Sequence, residues 1–166
     1  KTPWAGHYSS ACVKTDGTLW MWGEGNSGQL GLGNVTSYSS PKQVGSLTNW
    51  STTSGGFRRW LAIKTDGTMW SWGQNSYGSS GTGNTTVYSS PVQVGALTTW
   101  SKGVMNQKSS TALKTDGTLW AFGWNNHGQL GQGNTTIYSS PVQIGSLTTW
   151  TAITGGRYFL MATANG

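Results

Sequence analysis

The tetrapeptide Lys-Thr-Asp-Gly begins at Lys14, Lys64 and Lys114, and Tyr-Ser-Ser-Pro begins at Tyr38, Tyr88 and Tyr138, so the chain repeats with an unslipped period of 50 residues. A period of that length carrying several short strands belongs to propeller-type arrays, in which no unit buries its apolar face without a neighbour. Within one period, Pro91 to Gly95, Leu97 to Lys102, Trp60 to Lys64 and Thr68 to Gly73 each read as a strand. Four strands per repeat predict an all-β β-propeller of four-stranded antiparallel blades, as one array over residues 1–166 with phases starting near 1, 51, 101 and 151. Asp66-Gly67 between two alternating runs predicts a hairpin closed by a type I′ turn, with positive φ at both central residues. Gln74 to Ser90, rich in Gly, Asn, Ser and Thr, reads as a long packed or functional loop. No window places apolar residues at helical spacing, and glycine is too frequent for helix interiors.

Charge is scarce: 8% of residues are charged, and ten Lys and Arg stand against Asp16, Glu24, Asp66 and Asp116, giving a net charge of +6. Three of those acids are the Asp of the repeated turn, so the surface is basic for want of acids. The longest basic run is Arg58-Arg59, too short for the stripe that marks nucleic-acid binding, and a nucleic-acid partner is not expected. Cys12 has no partner for an intrachain disulfide; it occupies the phase of Ala62 and Ala112 and reads as a small buried hydrophobe. No run reaches the length of a membrane span.

Asp116-Gly117, Trp120, Gly123, Asn125 and Gly128-Gln129-Leu130-Gly131, echoed by Asp16-Gly17 and Gly28-Gln29-Leu30-Gly31, resemble the repeat of the regulator of chromosome condensation family. The resemblance covers three full periods and a partial fourth, and it implies a seven-bladed propeller. The chain departs from the family where many repeats place a His, having Ser9, Arg59 and Ser109, and Gly78-Ser79-Ser80-Gly81 lacks the Gln-Leu pair. Family residues that contact a small GTPase, a nucleosome or DNA are therefore not carried over. At 50 residues per blade, 166 residues make about 3.3 blades. Both ends are expected to fall inside a blade, and more of a longer chain, or copies of this one, is expected to cover the open edges.

Catalytic material is thin. The turn Asps are used for backbone tolerance, Glu24 has no carboxylate partner, and His7 and His127 fall at non-equivalent phases. No enzyme activity, metal or cofactor is expected. The Gly-Gln-Leu-Gly loops lack the Lys and following helix of a phosphate loop; their Leu30 and Leu130 read as anchors under the blade. Sequons at Asn34, Asn49, Asn84 and Asn134 read as turn chemistry. Trp20, Trp70 and Trp120, with Trp50, Trp100 and Trp150, each recur at one phase and read as structural.

Function is sought where the repeats disagree. After the corner glycine the units read His7-Tyr8, Phe57-Arg58-Arg59-Trp60, Gln107-Lys108 and Arg157-Tyr158-Phe159, segments expected at one end of successive blades. Aromatic and Arg side chains on one rim are the usual material of protein-binding hot spots. A second divergent set, Glu24 to Ser27, Gln74 to Tyr77 and Trp124 to His127, is expected to mark another loop edge. These features point to a non-catalytic scaffold for protein interaction or assembly, with its polar repeats suiting an extracellular or virion appendage. The rivals are a regulator of a small GTPase or chromatin, as the family resemblance implies, and a glycan-binding propeller using rim aromatics.

Overall fold

Along Leu19-Trp20-Met21-Trp22 the apolar side chains alternate, and the backbone follows: Leu19 and Met21 are fully buried while Trp20 and Trp22 are half-buried. That period-two burial is what a strand packed between blades requires. The computed structural model describes residues 3–156 and 159–165. Three four-stranded antiparallel sheets follow one another along the chain. The first holds β1 (Pro3–Ala5), β2 (Ser9–Val13), β3 (Leu19–Gly23) and β4 (Tyr38–Gln43). The second holds β5 (Trp50–Gly55), β6 (Arg59–Lys64), β7 (Met69–Gly73) and β8 (Tyr88–Gln93). The third holds β9 (Trp100–Met105), β10 (Ser109–Lys114), β11 (Leu119–Gly123) and β12 (Tyr138–Gln143). A two-stranded sheet of β13 (Trp150–Gly155) and β14 (Leu160–Ala164) comes last. No helix occurs among the described residues.

Two expectations are adjusted. Strand β9 starts at Trp100 rather than Leu97, because the preceding residues form the connection and leave Leu97 45% exposed. The Asp-Gly turn is not type I′: Gly17 has φ of 81°, but no non-glycine described residue has positive φ. Gly17 N–H donates to Lys14 O (3.0 Å) and Lys14 N–H to Thr18 O (2.9 Å), which is a type I turn followed by a left-handed glycine. Asp16 Oδ1 accepts from Thr18 N–H (3.0 Å) and Thr18 Oγ (2.6 Å), closing the turn through the Asp side chain instead of through a second left-handed residue.

Blades stack through β2 on β5, β6 on β9 and β10 on β13, and β1, β5, β9 and β13 lie side by side as the innermost strands around the axis. The seams are apolar with polar pins. Trp60 is completely buried and its Nε1 donates to Ser9 Oγ of the preceding blade (2.9 Å). Trp72 Nε1 donates to Gln29 O (2.9 Å), and Gly33 N–H donates to Ser89 O (2.8 Å), so the Gly-Gln-Leu-Gly loop of one blade grips the next. Leu30 and Leu130 anchor those loops at 0% and 1% exposure. Trp50 and Trp100 are buried, whereas Trp20, Trp70, Trp120 and Trp150 are half-buried. Cys12 is half-buried, less enclosed than its counterparts Ala62 and Ala112.

Candidate interaction face at one end of the axial cavity

The first turn of each blade closes in the same way: Gly6 N–H donates to Ser9 O (2.8 Å), Gly56 to Arg59 O (2.9 Å) and Asn106 to Ser109 O (3.1 Å). The chain leaving the third strand then runs beside that turn. Glu24 N–H donates to Tyr8 O (2.9 Å), Gln74 to Arg58 O (2.8 Å) and Trp124 to Lys108 O (3.0 Å). Antiparallel strand order makes this unavoidable, since the first-to-second and third-to-fourth connections of a blade emerge at the same end. The two divergent sets therefore share one face; the second is not a separate edge.

On that face the divergent side chains form two clusters. At the junction of the first two blades, the His7 ring lies 4.2 Å from Tyr8 and 5.0 Å from Phe57. Arg58 sits 5.4 Å from the Phe57 ring and 5.8 Å from Tyr8, and its Nη2 is 3.1 Å from Glu24 Oε1. At the next junction Lys108 Nζ lies 4.4 Å from the Trp124 ring and 5.2 Å from Tyr77, while His127 packs edge-on against Trp124 at 5.0 Å. Cations held over aromatic rings in this way lose side-chain freedom, a preorganised arrangement for a partner.

Arg59 and Trp60 do not belong to the rim. Trp60 fills the seam already described, and Arg59 is 3% exposed. Its guanidinium donates to Ser79 Oγ, to Asn106 O (3.1 Å) and to Ser109 O (2.8 Å), tying the second blade to the third. The physical reason is strand alternation: Arg58 ends the turn facing solvent and Arg59 begins β6 facing the seam. With no carboxylate beside it, burial pushes the Arg59 pKa down to about 9. Gln107 lines the axial cavity and Phe159 is 54% exposed. Arg157 and Tyr158 lie outside the described residues.

The innermost strands enclose a cavity of about 540 Å³ that opens at this face, with Trp4, His7, Phe57, Lys102, Gln107 and Ile153 among its walls. Trp4 and Lys102 escaped the sequence reading. Their signal was available: Lys102 stands at the phase of Thr52 and Ala152, and Trp4 at the phase of Ser54, Val104 and Thr154. The opposite end is uniform. Lys14 pairs with Asp16 at 3.1 Å, and the hydrogen bonds from Thr18, Thr68 and Thr118 hold Asp16, Asp66 and Asp116 below the usual carboxylate range, Asp16 at about 2.

Antiparallel four-stranded blades, stacked through tryptophan seams around an axial cavity, define a β-propeller repeat array. The sequence matches the family described as regulator of chromosome condensation (RCC1) repeat over residues 16–57, 66–104 and 116–163, and the chain belongs to that family. X-linked retinitis pigmentosa GTPase regulator from Canis lupus familiaris is 50% identical over 40 residues, and that from Homo sapiens 48% identical over the same length. Each match covers 24% of this chain and 4% of the relative. Human WBSCR16 superposes with a TM-score of 0.86 at 22% identity, over 99% of this chain and 45% of that one. Prp20p from Saccharomyces cerevisiae, described with its binding properties to Gsp1p and histones, gives 0.84 at 17% identity, over 98% of this chain and 42% of that one. Yeast RCC1 (Prp20) in its complex with Kap60 gives 0.85 at 16% identity, over 100% and 42%. The chain thus spans under half the length of these solved relatives, and what they share with it is the fold.

Proposed function

We propose that this chain is a non-catalytic propeller scaffold that binds a protein partner through the face bearing Tyr8, Phe57, Arg58, Lys108 and Trp124. The observation that carries this reading is the segregation of variation. The end carrying the Lys-Thr-Asp-Gly hairpins is repeated blade by blade, whereas the other end gathers aromatic and cationic side chains that differ at every blade. Such side chains, exposed at Tyr8 and half-buried at the other four, are held by their neighbours and are the residue types that dominate binding energy at protein interfaces. Solved relatives support the class of partner, being described with Gsp1p, histones and Kap60 as binding proteins. The non-catalytic part of the reading rests on the use of the acids: Asp16, Asp66 and Asp116 each close a turn and Glu24 pairs with Arg58. Among the described residues no three His, Cys, Asp or Glu side chains converge as a metal site.

The test is a random-peptide phage selection on the immobilised protein, with selected clones remeasured on Phe57→Ala, Trp124→Ala and, at the opposite end, Lys42→Gln. The expected result is that clones bind the Lys42 variant as they bind the parent and lose most of their binding to the two aromatic variants. Clones insensitive to both aromatic substitutions would overturn the proposal.

A further inference from the structure

Toward the hairpin end, away from the divergent face, a cleft of about 300 Å³ opens at the seam between the first two blades. The strand register places it: Gln43 pairs with Trp20 and Trp50 with Lys64, both beside the Asp-Gly turns. Its walls are the loop from Gly31 to Gly33 and the connection running on from Gln43 through Leu47, with Trp50, Trp70, Ser90 and Pro91 of the second blade, and none of the lining side chains is charged. The fold explains part of this lining. Val44 and Trp50 belong to the core, and Gly31 and Gly33 let their loop approach Trp72 and Ser89. It does not explain Leu47, which is 45% exposed, nor Leu97 and Leu147, which stand at the same phase and are 45% and 54% exposed. One exposed leucine is ordinary, but a leucine left in solvent at one phase of three successive repeats adds nothing to the core that would fix it there. The hydroxyls of Ser90 and Ser140 are likewise exposed and make no hydrogen bond among the described residues. Gln43 donates its amide N–H to Gly45 O (3.1 Å), as Gln143 does to Gly145 O (3.1 Å), and its Oε1 remains as an acceptor.

We propose that this cleft, and the copy of it encoded at the next seam, each bind one unit of a neutral repeating polysaccharide, a hexose ring packing its C–H face on Trp70 and Leu47 and turning its hydroxyls to Ser90 and Gln43. Fifty residues on, a single lining residue changes type, Leu32 to Thr82. A row of like sites suits a ligand made of like units, each weak contact adding to the next through the shared chain. A folded protein partner is asymmetric and is matched by side chains that differ from blade to blade, which this protein gathers at its other end. The chemistry agrees: a sugar ring has an apolar face and a hydroxyl edge, whereas a charged ligand would lose its hydration here with no counter-charge to meet it. The volume lies at the lower end of the range of about 300 to 1,000 Å³ usual for small-molecule sites and suits a ring better than a stretch of peptide. This site is separate from the interaction face proposed above and does not depend on it.

The experiment applies the whole chain, fluorescently labelled, to an array of neutral, acidic and amine-bearing oligosaccharides graded in length, and then measures the bound series in solution. Binding is expected on a neutral hexose series and should tighten about tenfold or more between the single ring and chains that bridge two seams. Ser90→Glu and Ser140→Glu each place an uncompensated charge in one cleft; combined, they should weaken binding of the long chain about tenfold or more. Either one alone should remove the gain with length while leaving single-ring binding within about twofold. Ser76→Glu, the same change at an exposed site on the divergent face, and Phe57→Ala should each alter binding less than about twofold. All three serines are exposed, and an unchanged thermal melt shows that their variants fold. No binding to any neutral glycan, a preference for acidic glycans, no gain with length, or equal losses in the Ser76 variant and the double variant would each overturn the proposal. Glycan binding that falls with Phe57→Ala but not with the double variant would put the sugar on the divergent face and overturn it too. Peptide clones that still depend on Phe57 and Trp124 would leave the interaction-face reading in place under any of these results.

Discussion

The ammonium of Lys64 lies 3.6 Å from the ring centroid of Trp70, and the same nitrogen is 4.9 Å from that of Trp50. Lys114 repeats the arrangement over Trp120 and Trp100 at 3.9 Å and 5.3 Å. Trp70 in turn donates its Nε1 proton to Thr68 Oγ (2.9 Å), whose own proton goes to Asp66 (2.6 Å). Four positions of the motif Lys-Thr-Asp-Gly-Thr-x-Trp thus form one polar relay with the indole as its floor. Truncating Trp70 removes that floor together with the edge-on contact to Trp50 at 6.1 Å. Trp70→Ala is expected to cost about 3 to 5 kcal/mol in a denaturant melt. Lys64→Gln, which spares the apolar contacts but loses the cation over the ring, is expected to cost about 1 kcal/mol. Equal losses for the two would show that the lysine, rather than the indole, organises the hairpin.

The relay predicts an acid-sensitive fold. Hydrogen bonds from Thr18 hold the Asp16 carboxyl at about 2, and Asp66 and Asp116 are lowered by the corresponding threonines. A carboxylate whose pKa is depressed in the folded state contributes stability that is present above its unfolded value, about 3.9, and disappears as pH falls through the folded value. The urea midpoint should therefore hold steady above about pH 5 and fall between about pH 4 and pH 2. Asp16→Asn, Asp66→Asn and Asp116→Asn combined should flatten that slope, and an unchanged slope in the triple variant would refute the assignment.

The fold was legible in the sequence because its determinants are local and repeated. The 50-residue period, the alternation around Trp20, Trp70 and Trp120, and the Gly-Gln-Leu-Gly anchors each have a short-range physical cause. The turn type was misread because Asp-Gly serves two hairpin geometries, and the choice between them depends on Thr18, Thr68 and Thr118 just beyond the pair. The site was half legible. Divergence at His7, Tyr8, Phe57, Arg58 and Lys108 marked the face, but a one-residue step into β6 separates half-buried Arg58 from fully buried Arg59, and divergence by itself carries no direction. That Tyr77 and Trp124 join the same face follows from strand order, which sets the ends of a blade side by side and is invisible to a residue-by-residue reading.

Gly67 is expected to tolerate no side chain. It has φ of 76°, and a Cβ there would come within 2.0 Å of Thr98 O, in the connection that leads to the next blade. Gly67 O also accepts from Trp100 N–H (3.1 Å), so the backbone cannot retreat without releasing the first strand of that blade. Gly67→Ala combines left-handed strain with a backbone clash and should destabilise by more than about 2 kcal/mol. Gly95→Ala makes the control: its φ of 62° carries the same kind of strain, but nothing lies within 4 Å of the added carbon. The difference between the two urea midpoints measures the close approach alone, and equal midpoints would rule it out.

The last prediction concerns Arg59, the buried cation that ties the second blade to the third. Its Nη2 donates to Asn106 O and Ser109 O, 47 and 50 residues further along the chain, while Nη1 donates to Ser79 Oγ in the loop of its own blade. At the equivalent positions Ser9 and Ser109 are too short to reach across a seam, so this tie exists at one junction among the described blades. Arg59→Ala leaves the buried Asn106 carbonyl without its guanidinium donor and opens a void beneath the interaction face; the expected cost is about 2 kcal/mol or more. Arg59→Lys keeps a charge but cannot span three acceptors with a planar fork, and it should recover only part of the loss. Hydrogen exchange gives the spatial readout: protection should fall around Asn106 to Ser110 and Ser79, and remain unchanged around Ser9 to Val13 at the other seam. Uniform loss of protection over both seams would mean that Arg59 supports the array as a whole rather than this junction.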